Sequence, residues 1–265
     1  HTEKIRVGSG GIMLPNHAPL VVAEQFGTMA IIYPDRLDLG LGRAPGTDML
    51  TAMALRRSQG DESVYSFPQD IQELLKYFGP EEVQGQVKAN IAIDTNIPIY
   101  VLGGSTNSAF LAAELGLPYV FASHFAPTHM EEAISIYREK FQPSDYLKKP
   151  HMTVCLNVIA AESNEEAIRE YTTLQQFFLN VVRGHNNPLP PPVDDIEKIW
   201  HPQEKIAVSS MIRVSFVGDK NSVRDQLAKF QEAYDVDEIM AVSYIYDLEK
   251  QIRSFEIFKE VVEGK

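Results

Sequence analysis

The residues best suited to chemistry lie at the ends of apolar runs. Gly103-Gly104-Ser105, with Ser108 one turn further on, follows the run Ile-Pro-Ile-Tyr-Val-Leu at residues 97–102. Small residues at the start of a helix expose free backbone N–H groups, and phosphate is their usual guest. The same turn would equally serve as a strand-to-helix connection that needs glycine for geometry alone. Arg43 stands directly after Leu-Asp-Leu-Gly-Leu-Gly and before Ala44-Pro45-Gly46. A guanidinium at a strand end is either a surface charge or a partner for an oxyanion. Ser9-Gly10-Gly11 interrupts the run IRVGSGGIML, and glycines inside a strand mark a bulge or a close backbone approach.

Two histidines are candidates for proton chemistry. His17 lies in Pro-Asn-His-Ala-Pro after the first strand, and His124 ends the strand at residues 119–123. His124 and His129 lack the cysteine or carboxylate spacing of a metal site, so no metal is expected. Cys155, inside Val-Cys-Leu-Asn-Val-Ile, reads as a buried and inert thiol. Trp200 reads as a packing anchor beside a proline-rich stretch.

Alternating strands and helices must position these groups. Residues 97–102, 106–116 and 119–123 read as strand, helix and strand, with Ala109, Ala112 and Ala113 as a small-residue stripe against a sheet. Before them come a strand over 5–14, a helix over 19–33 opened by Pro19, and a strand over 37–42. Residues 68–78 read as a helix, and 81–96 could hold a short hairpin. Thr128 with Glu131, and Ser163 with Glu166, have the spacing of capping boxes for the next two helices. Strands are expected over 152–161 and 238–246, and helices over 221–234 and 248–263. Residues 208–216 suit either helix or strand. Pro-Leu-Pro-Pro-Pro-Val, within 185–204, is a stiff surface excursion rather than a linker. This alternation is the pattern of an α/β barrel or a doubly wound sheet.

Composition narrows the partners. A net charge of −12 spread over 265 residues argues against non-specific binding to nucleic acid or anionic membrane. No apolar run approaches the roughly 20 residues that span a bilayer. A single cysteine excludes an internal disulfide and fits the cytoplasm.

IRVGSGGIMLPNHAPLVVAEQFGTM, RLDLGLGRAPGTD and PIYVLGGSTNSAFLAAELGLPYVFASHFAP resemble, in that order, successive blocks of the bacterial-luciferase-like flavin monooxygenases. VGDKNSVRDQLAKFQEAYDVDEIM resembles that family's last βα unit. The resemblance implies an α/β fold, the TIM (β/α)8 barrel of the luciferase-like type, as one domain over 1–265. It implies a flavin monooxygenase that uses reduced FMN, supplied by a separate reductase, and O2 to oxygenate a small organic substrate. A non-catalytic flavin-binding protein and a deazaflavin-dependent oxidoreductase are the alternatives on the same fold. Ser9, Gly10 and Gly11 would lie under the flavin ring, where the family often has a non-proline cis peptide. Arg43, Gly103, Gly104, Ser105 and Ser108 would hold the phosphate, and Ser123 would complete the cofactor site. His17 and His124 are the candidate catalytic residues, although the family's histidine near the first aligns one position later, with Ala18.

Residues 5–14 match the family's third strand, so only about six barrel strands are counted. At roughly 30 residues per βα unit, two units of about 60 residues are expected upstream of His1. A lid-like insertion is expected near 48–96. The helix from Pro19 has more apolar residues than one barrel face can bury, and the family commonly pairs through such helices, so a homodimer is expected.

Overall fold

The computed structural model describes residues 2–44, 46–47, 49–56 and 66–264, apart from the side chains of Met49 and Arg56. The chain divides into two compact units. The first comprises His1–Gly103, Asn107–Val120 and Tyr137–Pro150, and the second Gly104–Thr106, Phe121–Ile136 and His151–Lys265.

Three parallel strands form the sheet of the first unit: β1 (Val7–Met13), β2 (Leu37–Gly42) and β3 (Ile99–Gly103). Leu37, Leu39 and Leu41 of β2 are buried, as a central parallel strand requires. Gly10 pairs with Gly40 and Ile12 with Leu41, so Gly11 is an extra residue, a β-bulge. The Gly10–Gly11 peptide is cis. The Ser9 hydroxyl donates to Gly40 O (2.9 Å) and accepts from Gly40 N (3.0 Å), which satisfies backbone groups beside the bulge. A Cβ on Gly40 would lie 2.2 Å from Ser9 O, so only glycine permits this approach.

Helix α1 (Pro19–Ile32) starts with proline at its first position and buries Val22, Ala23, Phe26 and Gly27. Its other side leaves Ile31 and Ile32 59% and 61% exposed, with Val21 and Met29 also exposed. Helix α2 (Met49–Arg56) and helix α3 (Phe67–Phe78) follow. Residues 57–65 and Asp48, the centre of the expected lid, lie outside the described residues. From Phe67 onward the same stretch is packed, with Phe67, Ile71, Leu74, Ala89 and Ala92 buried. The hairpin expected over 81–96 is replaced by two 3-10 turns, Glu81–Val83 and Asn90–Ala92. The Gln84 amide, which donates to Tyr77 O and accepts from Ala89 N, closes this loop. Gly27 of α1 presses on Ala92, where a Cβ would come within 2.8 Å, so tertiary contact overrides strand pairing.

The division between the units falls within the first turn of helix α4 (Thr106–Leu115), within strand β4 (Tyr119–Ala122) and within helix α5 (Met130–Lys140). A 3-10 turn, Pro127–His129, precedes α5, so Thr128 sits inside that turn instead of capping the helix.

The second unit is built on β5 (Met152–Ala160), whose nine residues are all buried. Its second half pairs in parallel with β6 (Ser215–Gly218) and its first half with β7 (Glu238–Val242). Strand β6 brings the described strands to seven, one more than the sequence count. The ambiguous stretch resolves into helix α7 (Pro202–Met211) and this four-residue strand, which its pairing with β5 defines. Helix α6 (Asn164–Val182) is capped by Ser163, which accepts from Glu166 N at 3.2 Å. The Glu166 carboxylate turns to Lys250, which also meets Glu170 at 2.8 Å. Thr172, Gln176 and Arg169 of α6 bind Val193, Pro191 and Asp194 of the proline-rich stretch. Trp200 is buried with Leu174, Phe178, Leu179, Val208 and Ile212, the packing anchor expected. Helices α8 (Lys220–Ala233) and α9 (Leu248–Val262) complete the unit, each capped by an aspartate, Asp219 and Asp247.

Two glycines at helix ends separate conformational strain from crowding. Gly116 (φ +61°) would place a Cβ 2.4 Å from Gln142 O, whereas Gly184 (φ +69°) faces open space. Alanine at Gly184 should cost about 1–2 kcal/mol, the left-handed penalty alone. Alanine at Gly116 should cost clearly more, read as the difference in urea unfolding free energy; equal costs would refute this account.

Candidate active site

In the first unit a cleft of about 230 Å³ opens where β2 ends. Arg43 lines it together with Leu102 of β3, Phe67 and Pro68 from the start of α3, and Asn107, Ser108 and Leu111 of α4. This volume is small for a whole cofactor but ample for a phosphate-sized group. Arg43 is exposed, and among the described residues its guanidinium has no hydrogen-bond or ion-pair partner. The first turn of α4 carries no acidic residue, so its positive end is not neutralised from within the helix. A free cation beside such a helix start suits an oxyanion.

Ser108 is held from behind. Its hydroxyl meets Tyr119 OH at 2.9 Å, and Tyr119 is fully buried. Burial raises the Tyr119 phenol above its ordinary range, with the Ser108 hydrogen bond partly opposing, so the phenol stays protonated. A Cβ on Gly103 would lie 2.0 Å from the Ser108 hydroxyl; glycine there makes room for the serine.

The sequence candidates are distributed unevenly. Arg43 and Ser108 share the cleft. Ser9, Gly10 and Gly11 form the β1 bulge, and a Cβ on Gly10 would meet nothing within 4 Å, which leaves an open face there. His17 is exposed, follows the 3-10 turn Leu14–Asn16, and is not among the cleft's lining residues. Gly104 and Ser105 form the turn that leads into α4, in the second unit by compactness. Ser123 is fully buried and its hydroxyl donates to Cys155 O at 2.6 Å, so that proton is committed to the backbone. His124 packs edge-on to Phe125, ring centres 4.5 Å apart. Burial lowers its pKa from the ordinary value, with a backbone hydrogen bond at Cys155 partly opposing. It is therefore a neutral imidazole at physiological pH.

Sequence reasoning missed Phe67, Pro68, Leu102, Asn107 and Leu111. Asn107 is adjacent to the small-residue turn and could have been included with it. Phe67 and Pro68 reach the cleft only through packing.

Parallel strands joined by helices, with a cleft at a strand end, define an α/β protein. A sequence model of the luciferase-like monooxygenases matches residues 1–236. The chain is 45% identical over 263 residues to a luciferase-like monooxygenase of Escherichia coli K12, covering 99% of this chain and 78% of that one. It also resembles the crystal structure of apo-MsnO8, with 33% identity and a TM-score of 0.88 over 99% of this chain and 79% of that one. The oxygenating constituent of 3,6-diketocamphane monooxygenase from Pseudomonas putida, solved with FMN, shares the fold at 18% identity and a TM-score of 0.64, over 100% of this chain and 81% of that one. The chain belongs to the luciferase-like monooxygenase family. Among the described residues no helix is long and apolar enough to cross a membrane.

The chain's one thiol lies in the second unit, inside β5. Cys155 is 5% exposed, and burial pushes its pKa up to about 12. At pH 8 the folded protein should resist iodoacetamide and gain one adduct only in denaturant, read by intact mass. Rapid labelling of the folded chain would show an exposed thiolate.

Proposed function

We propose that this chain is a cytoplasmic flavin-dependent monooxygenase that takes reduced FMN from a separate reductase and uses O2 to oxygenate a small organic substrate. The observation that carries the reading is the Arg43 guanidinium, without a partner among the described residues, in a cleft shared with Asn107 and Ser108. The residues fit the cofactor. Arg43 and the start of α4 would neutralise the phosphate, and the open face at Gly10 would let a flat ring lie against the β1 bulge. FMN seen in the camphane enzyme of the same fold supports the choice of cofactor.

When bound, reduced flavin supplies the electrons that activate O2. The chain binds, orients and shields. Arg43 anchors the phosphate, and Ser108, fixed by Tyr119, offers its hydroxyl to an anionic oxygen. Leu102, Leu111 and Phe67 present apolar surface that excludes water from the cleft.

A hydrogen bond to a charged group contributes roughly 1.5–3 kcal/mol. Arg43→Ala should therefore weaken FMN binding by about 10- to 150-fold at 1.4 kcal/mol per decade. Riboflavin lacks the phosphate, so its affinity should hold. Stability should move by less than about 0.5 kcal/mol, because Arg43 has no partner to lose among the described residues. An unchanged FMN-to-riboflavin preference would remove Arg43 from the site. Reduction of a deazaflavin, in place of O2 uptake with reduced FMN, would replace the oxygenase reading by hydride transfer.

The exposed apolar side of α1 supports a homodimer: Val21, Met29, Ile31 and Ile32 stand outside the first unit's core. Light scattering at micromolar concentration should give twice the 29.8 kDa chain mass. A monomer would contradict it.

A further inference from the structure

Met13 closes β1 and stands opposite Gly42, the last residue of β2. It is half-buried, and its side chain lies over backbone. A Cβ on Gly42 would come within 2.9 Å of Met13 Sδ and 3.3 Å of its Cε, and a Cβ on Gly46 within 3.0 Å of Met13 Cγ. One unbranched side chain therefore spans the places where two others would stand. A flexible, polarizable thioether suits such an irregular gap. A methionine kept only to fill the core would be fully buried, as Met130 and Met152 are.

Arg43 follows Gly42 directly and lies between the two glycines in the chain. Its guanidinium lines the cleft, yet no hydrogen bond or ion pair among the described residues holds it there. A long cation loses rotamer freedom when it orders on a ligand, and a fixed backbone reduces that cost. Pairing of β2 with β3 ends at Gly42, opposite Leu102. Beyond that point the Met13 side chain touches the chain on both sides of Arg43, at Gly42 and at Gly46.

We infer that Met13 is a positioning residue for the cofactor phosphate: its side chain, laid across Gly42 and Gly46, fixes the backbone that carries Arg43 and so aims the guanidinium into the cleft. The inference rests on the phosphate reading of that cleft given above. Its consequence is selective. The open face at Gly10 lies outside this contact, so the ring's share of flavin binding does not depend on it. Only the share that comes from the phosphate does.

The test compares FMN and riboflavin affinities by titration calorimetry on the full chain, since the phosphate is the difference between the two ligands. Met13→Ala should lower the preference for FMN by about 3- to 10-fold, a part of the loss expected for Arg43→Ala. Riboflavin affinity should hold. Met13→Leu, close in volume, should keep most of the preference. In the Arg43→Ala background Met13→Ala should change the preference no further, because the residue it positions is gone. Should Met13→Ala fail to fold, Met13→Val serves, since it suits a strand and still lacks Sδ and Cε. Equal weakening of both flavins, no rescue by leucine, or the same loss of preference with and without Arg43 would overturn the inference and make Met13 a packing residue. Failure of both the alanine and the valine variant to fold would do the same. A preference lost in Arg43→Ala but kept in Met13→Ala overturns this inference alone. A preference kept in both overturns the phosphate reading with it.

Discussion

Burial of parallel strands on both faces is the constraint from which the rest of this structure follows. A strand covered on two sides can carry almost no polar side chains, because each would lose water without a guaranteed partner. β5 shows the limit, with every residue buried, and β2 buries its three leucines before the chain reaches Arg43. Polar chemistry is therefore pushed to the strand ends and the turns beyond them. Arg43 follows β2 by one residue, and Ser108 lies in the first turn of the helix after β3. Their meeting in one cleft is a consequence of strand geometry before it is a feature of function.

The second dependency is the close approach of β1 and β2. Gly11 and Gly40 allow backbones and the Leu102 side chain to come within distances that a Cβ would forbid. The bulge this creates costs ladder hydrogen bonds, and Ser9 restores them at Gly40 through its hydroxyl. The outcome is a strand with one crowded glycine and, beside it, Gly10 facing open space. Crowding on one side and vacancy on the other suits a surface against which a flat molecule can lie.

Several polar groups inside the second unit serve the structure. Glu170 is 2% exposed and meets Lys250, a buried carboxylate with its counter-charge supplied by α9. Ser123 likewise has its proton placed on a backbone carbonyl. These groups hold elements together. Asn157, like Glu170, makes its structural bond with one end and keeps one buried oxygen without a partner among the described residues.

Much of this was legible in the residues themselves. Apolar runs marked β1, β2, β3 and β5, glycine closed β2 and β3, proline opened α1, and Ser163 capped α6, since local sterics and local hydrogen bonds decide such features. The wording of three blocks identified the family, and a strand-end arginine beside a small-residue turn suggested an oxyanion site. Tertiary structure decided what depends on distant partners. It made the 81–96 loop two turns, the second pressed on Gly27, and it made β6 a strand because β5 lies alongside. It brought Phe67 and Pro68 to the Arg43 cleft from a helix some two dozen residues downstream of Arg43. It also committed the Ser123 hydroxyl to Cys155 and left Asn157 half-satisfied. Periodicity records which face of an element is apolar, but the partner of a buried polar atom is chosen by packing across the chain, and no local pattern encodes it.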